Sequence, residues 1–191
     1  MKNPPKNSRR PQVLKFYYDS DPILREKCRR LTPDEVLTPE IQNLIDDIKH
    51  TCDARKAGVA MSANQVGEAV AISVIAIKPT PVRPNLEPFD TVCINTEITE
   101  TFGDKELLWE GCQSTLDENG EPAMAEVPRH TKIRVKYLDR NGVPHEEIVE
   151  GFVAHVVQHE TDHLNGKLMT DLISADSLIS YREYMERLEE K

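Results

Sequence analysis

No apolar run in this 191-residue chain approaches the ~20 residues that a membrane-spanning helix requires, so the candidate functions begin with soluble ones. The first residues lack the apolar core of a secretory signal. Paired cysteine spacing is also missing. Cys28, Cys52, Cys93 and Cys112 are scattered, as reduced intracellular thiols are and a disulfide framework is not. Nor is there an excess of positive charge. A formal net charge of −9 and a sequence pI of about 5.2 argue against nucleic acid as a ligand of the whole surface, and against specific DNA binding. Internal repeats, low-complexity blocks and regular β-α-β alternation are absent as well. What remains is the expectation of a single cytoplasmic domain of α+β class.

One segment departs from the acidic average. Residues 1–15 carry Lys2, Lys6, Arg9, Arg10 and Lys15 with no acid among them, and include Pro4, Pro5 and Pro11. This reads as a basic flexible tail over 1–12, ahead of a catalytic unit over 13–173 and a C-terminal helix over 174–191. The tail is either simply solvated or touches an anionic partner such as RNA at a ribosome surface.

Helix and strand signals alternate irregularly along the body. Val13–Tyr17 reads as a short strand. Thr38 caps a helix whose Ile41, Leu44, Ile45, Ile48 and Cys52 repeat at helical spacing, with Gly58 as the stop. Val70–Ile77, Val92–Ile98 and Thr131–Tyr137 read as strands, and Asn141-Gly142 turns the last into a partner ending near Val149. Over Gly151–Asn165 the run Phe152–Val157 has the β-branching of a strand, yet the spacing of the residues that follow demands a helix. The expected architecture is therefore mixed or antiparallel sheet around a central buried helix. A surface helix with Leu178, Tyr181, Met185 and Leu188 as its apolar stripe follows.

That demand comes from His159-Glu160-Thr161-Asp162-His163. Residues four apart lie one turn apart on the same helix face, so two neutral imidazoles can hold one ion while Glu160 stands near enough to handle a proton. A third ligand is needed, and any Cys, His, Asp or Glu brought close would serve. Cys112, beside Gly111, suits a cationic ion best as a thiolate, although a lone cysteine is also often an inert buried thiol.

Three separated segments resemble the peptide deformylases, in that family's order. Gly58–Gly67 is similar to glycine-x-glycine-leucine-alanine-alanine-x-glutamine, Glu110-Gly111-Cys112-Gln113-Ser114 to Glu-Gly-Cys-Leu-Ser, and Gln158–Leu164 to Gln-His-Glu-x-Asp-His-Leu. The resemblance implies a hydrolase of protein biosynthesis that removes the formyl group from the N-terminal formyl-methionine of nascent chains. It implies a divalent ion on Cys112, His159 and His163, ferrous iron by preference, with zinc, nickel or cobalt able to replace it. Glu160 would take a proton from water and pass it to the leaving amine. The Gln65 amide and the Gln113 backbone N–H would meet the oxyanion. Val59, Ala60, Leu108, Phe152, His155 and Val156 would line the methionine pocket, with Glu110 orienting a ligand and Arg129 bridging to Asp162.

The chain also departs from that pattern. Ala60 replaces the second glycine, Met61, Ser62 and Asn64 differ from the usual residues, and residues 115–122 form an acidic insertion. His155 stands where an apolar pocket residue is usual, and reads as a pocket-wall or hydrogen-bonded side chain rather than a fourth ligand. These departures keep two other readings open: a deformylase-like amidase with altered acyl or peptide preference, and a non-catalytic zinc or ribosome-binding module.

Overall fold

The β-rich middle of the chain forms one five-stranded antiparallel sheet in the order β1 (Ala60–Ser62), β2 (Ile72–Ile77), β3 (Phe89–Leu116), β4 (Pro122–Leu138) and β5 (Pro144–Glu150). This is the picture from a computed structural model that describes residues 9–55, 58–79, 85–117 and 120–189. The helices are α1 (Pro33–Val36), α2 (Pro39–Arg55), α3 (Gly151–Leu164) and α4 (Tyr181–Glu189). The class is α+β, with an antiparallel sheet and a C-terminal helix.

β2 carries the packing. Successive strand residues point to opposite faces, so Ile72 and Val74 join Ile41, Ile45 and Ile48 of α2 in one buried cluster, while Ile75 and Ile77 join Ala154, Val156 and Val157 of α3 in another. A strand buried on both faces reads as a near-continuous apolar run, interrupted in Ile72–Ile77 only by the buried Ser73.

In α3, packing overrides propensity. A valine in a helix costs up to ~0.7 kcal/mol relative to alanine, whereas burying one contributes roughly 1.5–3 kcal/mol, and Val156 and Val157 are both buried. Past the helix, Gly166 takes φ +72°, and a Cβ there would meet the Arg25 carbonyl oxygen at 2.5 Å, so only glycine fits the exit.

Several sequence expectations need correction. Val13–Tyr17 is extended but joins no ladder; Phe16 anchors it in the core, and Tyr17 N–H donates to the Gln65 carbonyl at 2.9 Å. The strand expected over Val92–Ile98 runs on to Leu116. Its middle, residues 97–107, is largely exposed and charged, so no apolar alternation announces it there, and pairing with β4 through several register shifts holds it. The helix expected over 174–191 starts only at Tyr181, because Ile179 gives its backbone N–H and carbonyl to Met124 of β4 and Ser180 then accepts from Glu183 N–H at 3.1 Å. Residues 56–57, just before the expected stop at Gly58, and residues 118–119 of the insertion lie outside the described residues, as do 1–8 of the basic segment. Arg9 and Gln12, at the end of that segment, both bond the Asp47 carboxylate of α2. Among the described residues, no helix is long and apolar enough to cross a membrane.

Candidate active site and metal centre

The helical spacing of α3 places His159 and His163 on one face, with ring centroids 4.9 Å apart. β3 delivers Cys112 to the same point, its Sγ 3.3 Å from His163 Nε2. One ligand atom from each of the three residues lies within 4.8 Å of the others. Two ligands of a tetrahedral ion, at about 2.3 Å for sulfur and 2.0–2.1 Å for nitrogen, stand roughly 3.5 Å apart, so this trio fits a single divalent ion. The chemistry agrees with the spacing. Burial opposes ionisation of Cys112, but the charges and hydrogen bonds of His163 and His159 outweigh it and hold the thiol well below its ordinary range, as a metal-binding thiolate requires.

Glu110, two residues before Cys112 on β3, is buried and holds this face of α3 together. His159 Nδ1 lies 2.7 Å from its Oε2, and His155 Nε2 lies 2.7 Å from its Oε1. Arg129 Nε donates to Oε1 at 2.6 Å, and the other arm of that guanidinium pairs with Asp162. Burial pushes the Glu110 carboxyl up, yet the bonds from His155 and His159, the His159 charge and the Arg129 bond win, leaving it well below the usual carboxylate range. His159 thus has one ring nitrogen fixed by a carboxylate, which sets the orientation of the other. The Glu110 and Arg129–Asp162 contacts expected from the sequence are present. His155 is hydrogen-bonded and does not join the ligand trio.

Opposite α3, the loop after β1 supplies Gln65. Ser62 N–H donates to Gln65 Oε1 at 2.9 Å, which leaves the amide Nε2 to approach Ser114 Oγ at 3.1 Å and Cys112 Sγ at 3.7 Å. Gln113 lies between the Gly111–Met124 and Leu116–Pro122 pairs, where the register of β3 against β4 shifts. Glu160 is buried and accepts from Ser62 Oγ at 2.6 Å. Burial raises its carboxyl above the ordinary value, more than the His159 and His163 charges lower it.

The polypeptide deformylase family model matches residues 13–177. The chain belongs to that family. It is 34% identical over 178 residues to a peptide deformylase of Leptospira biflexa, covering 90% of this chain and 93% of the relative. A peptide deformylase 1 of Nitrosomonas europaea is 37% identical over 158 residues, covering 82% and 83%. Among solved structures, a Met-Ala-Ser-bound class I type b peptide deformylase of Acinetobacter baumannii superposes with TM-score 0.76 at 32% identity, covering 84% of this chain and 98% of that one. The deformylase family is metal-dependent, and among the described residues Cys112, His159 and His163 form a group that could hold an ion.

Cys112 and His159 of the trio line a cavity of about 240 Å³. Gln65, Gln113 and Glu160 line it, as do Val59, Ala60, Phe152, His155 and Val156, so these expected residues come together. Leu108 does not: it pairs with Val127, and the lining along β3 starts at Trp109. Trp109, Met124 and Tyr184 complete the wall and were missed by sequence reasoning. The Trp109–Tyr184 ring contact, at 5.2 Å between centroids, joins β3 to α4. Neither residue has a spacing signal to the metal motif; the only hint was the aromatic Trp109 immediately before Glu110-Gly111-Cys112.

Proposed function

We propose that this chain is a metal-dependent hydrolase that removes the formyl group from the N-terminal formyl-methionine of nascent polypeptides. The observation carrying this reading is that three ligands, a buried raised-pKa carboxyl and a fixed amide donor converge on one cavity. Cys112, His159 and His163 would hold the ion, with ferrous iron proposed as the physiological metal and zinc, nickel or cobalt as substitutes. When bound, such an ion acts as a Lewis acid that activates water and polarises a carbonyl. Glu160, its carboxyl raised by burial, accepts the proton of the attacking water and returns it to the leaving amine. The Gln65 amide and the Gln113 backbone N–H supply donors where the formyl oxygen becomes negative, and each such donor contributes about 10²–10³ in turnover. Phe152 and Val156 offer apolar wall to the methionine side chain. Glu110 orients His159, and Arg129 and Asp162 hold Glu110 in place. The catalytic unit is taken as 13–173, with 174–191 as the C-terminal segment that carries α4, acting in the cytoplasm. The basic segment is a candidate for ribosome contact.

A second reading keeps the reaction and changes the peptide. It is favoured by the imidazole of His155 and the methyl of Ala60 in the cavity wall. The non-catalytic zinc reading loses ground because the described residues offer three ligands at the centre and not four.

Anaerobic purification with metal analysis, followed by a formyl-Met-peptide assay, tests the main reading. The protein should carry about one ion per chain, lose turnover to a chelator and regain it with ferrous iron. Turnover by a metal-free preparation, or none by the ferrous protein, would overturn it.

A further inference from the structure

Two buried serines face the site from the sheet. Ser62 of β1 and Ser73 of β2 are directly opposed in the antiparallel register, and their hydroxyl oxygens are 2.8 Å apart. Both point to the α3 side, since their neighbours Met61 and Val74 pack on the α2 side. Their exposures are 0% and 1%. A buried hydroxyl is costly unless it is hydrogen-bonded, and the deformylase pattern has alanine at the position of Ser62, so the hydroxyl here calls for a reason. That reason lies 2.6 Å away. Ser62 Oγ reaches Glu160 Oε2, and among the described residues it is the hydrogen-bond donor to that carboxylate. A hydroxyl carries a single proton. If Ser62 donates to Glu160, the Ser62–Ser73 bond must run from Ser73 to Ser62, giving a chain of one direction: Ser73, Ser62, Glu160.

Resting on the deformylase reading, we propose that Ser62 is a positioning residue for Glu160: its hydroxyl, itself held by Ser73, fixes Oε2 and leaves Oε1 as the oxygen that handles the proton. A glutamate has three side-chain torsions, and a proton-handling position needs all of them fixed. Catalytic geometry tolerates only about 0.5 Å of error. The hydroxyl supplies that restraint from the rigid sheet, and a chain of two polarised hydroxyls strengthens the final bond. The same residue also fixes Gln65 through its backbone N–H, so β1 sets the base and the oxyanion donor from one position.

The test compares metal-loaded wild type with Ser62→Ala, Ser62→Cys and Ser73→Ala on a formyl-Met peptide. Loss of a supporting bond of this kind costs about 10- to 100-fold in activity. Ser62→Ala should therefore lose kcat in that range with KM little changed, and with metal content and melting temperature kept. Ser62→Cys, a weak donor of similar size, should fall between wild type and Ser62→Ala, and Ser73→Ala should show a smaller loss. A Ser62→Ala crystal structure should show the Glu160 carboxylate in more than one position. Wild-type kcat in Ser62→Ala, or a loss that only tracks missing metal, would overturn the proposal. So would an unmoved, single Glu160 position, which decides the matter even if wild type proves inactive on formyl-Met peptides. Wild-type inactivity by itself would count against the deformylase reading instead.

Discussion

Glu110 carries two imidazoles and a guanidinium on two oxygens, so a change at any of them is felt by the others. His155 is the member that can be removed without touching a ligand. Replacing it with isoleucine takes one bond from a buried carboxylate, an interaction of about 1.5–3 kcal/mol, and a lower melting temperature should report it. The same variant gives the cavity an apolar wall. Relative kcat/KM should then shift towards formyl-Met over a formyl peptide with a polar first side chain, by about tenfold or more. An unchanged ratio would remove His155 from selectivity. The thiols allow a second prediction at this scale. Burial pushes the Cys28 thiol up to about 11 and that of Cys52 to about 12, and raises Cys93 further, while Cys112 alone is lowered. At neutral pH, alkylation of chelator-treated native protein should modify Cys112 first, and unfolded protein should react at all four cysteines. Intact-mass and peptide mapping would show it, and early labelling of Cys28 or Cys52 would contradict it. The two histidines and Cys112 were legible because helical spacing and local motifs mark them. The His155–Glu110 bond was not, because nothing in either segment points at the other.

The turn between β4 and β5 shows how an element is set by a residue outside the obvious pair. Asn-Gly suggests a tight hairpin with positive φ at both centres, but only Gly142 adopts it, at +72°. The loop is held by Asp139 instead. Its carboxylate accepts from Asn141 N–H at 2.8 Å and Val143 N–H at 3.0 Å, and its carbonyl accepts from Gly142 N–H at 3.0 Å. Burial acts to raise the Asp139 carboxyl, and the bonds from Val143 and Asn141 lower it by more. A carboxyl lowered in the folded state contributes stability that is complete above its unfolded value of about 3.9 and fades as pH falls through the folded value. Asp139→Ala should therefore cost about 1 kcal/mol at neutral pH. The gap from wild type should narrow below pH ~4. Urea melts at the two pH values measure this, and a gap that widens in acid would refute it. The hairpin's existence was legible, its capping only partly so. α3 was legible for the opposite reason: the metal spacing forced a helix where valines suggested a strand, and burial on β2 and β4 supplies the energy that propensity lacks. The middle of β3, residues 97–107, was hidden because its exposed charges carry no period.

At the scale of the whole molecule, the last segment closes the site made by the middle. Ile179 exchanges two backbone bonds with Met124, both 2.9 Å, which adds a rung to β4 beside the cavity. α4 then turns Tyr184 inward and leaves Arg187 exposed at the edge of Trp109. Tyr184 meets Trp109, and the Arg187 guanidinium sits 5.8 Å from the Trp109 ring centroid. The apolar stripe read from the sequence, Tyr181, Met185 and Leu188, faces solvent. Helical periodicity identified a stripe but had no means of saying which side meets the body, since the decisive partner is a tryptophan on a distant strand. An aromatic pair contributes about 0.5–1.5 kcal/mol beyond its burial, and an exposed cation–π contact about 0.5–1 kcal/mol. These are enough to hold a short helix, and too little to carry the fold. Removal of the Tyr184 ring should thus leave the sheet, the metal ligands and Glu160 in place while loosening one wall of the peptide cavity. Tyr184→Ala is expected to raise KM by about threefold to tenfold, the equivalent of roughly 0.7–1.4 kcal/mol, with kcat and metal content close to wild type. Trp109 is the sole tryptophan, so its emission reports on this contact directly. In Tyr184→Ala the emission should shift to the red as the indole gains water, and peptide binding should restore part of the shift. A variant with unchanged emission and unchanged KM would mean that the C-terminal helix takes no part in holding the peptide. A fall in kcat with unchanged KM would place its influence on the chemistry and not on the wall.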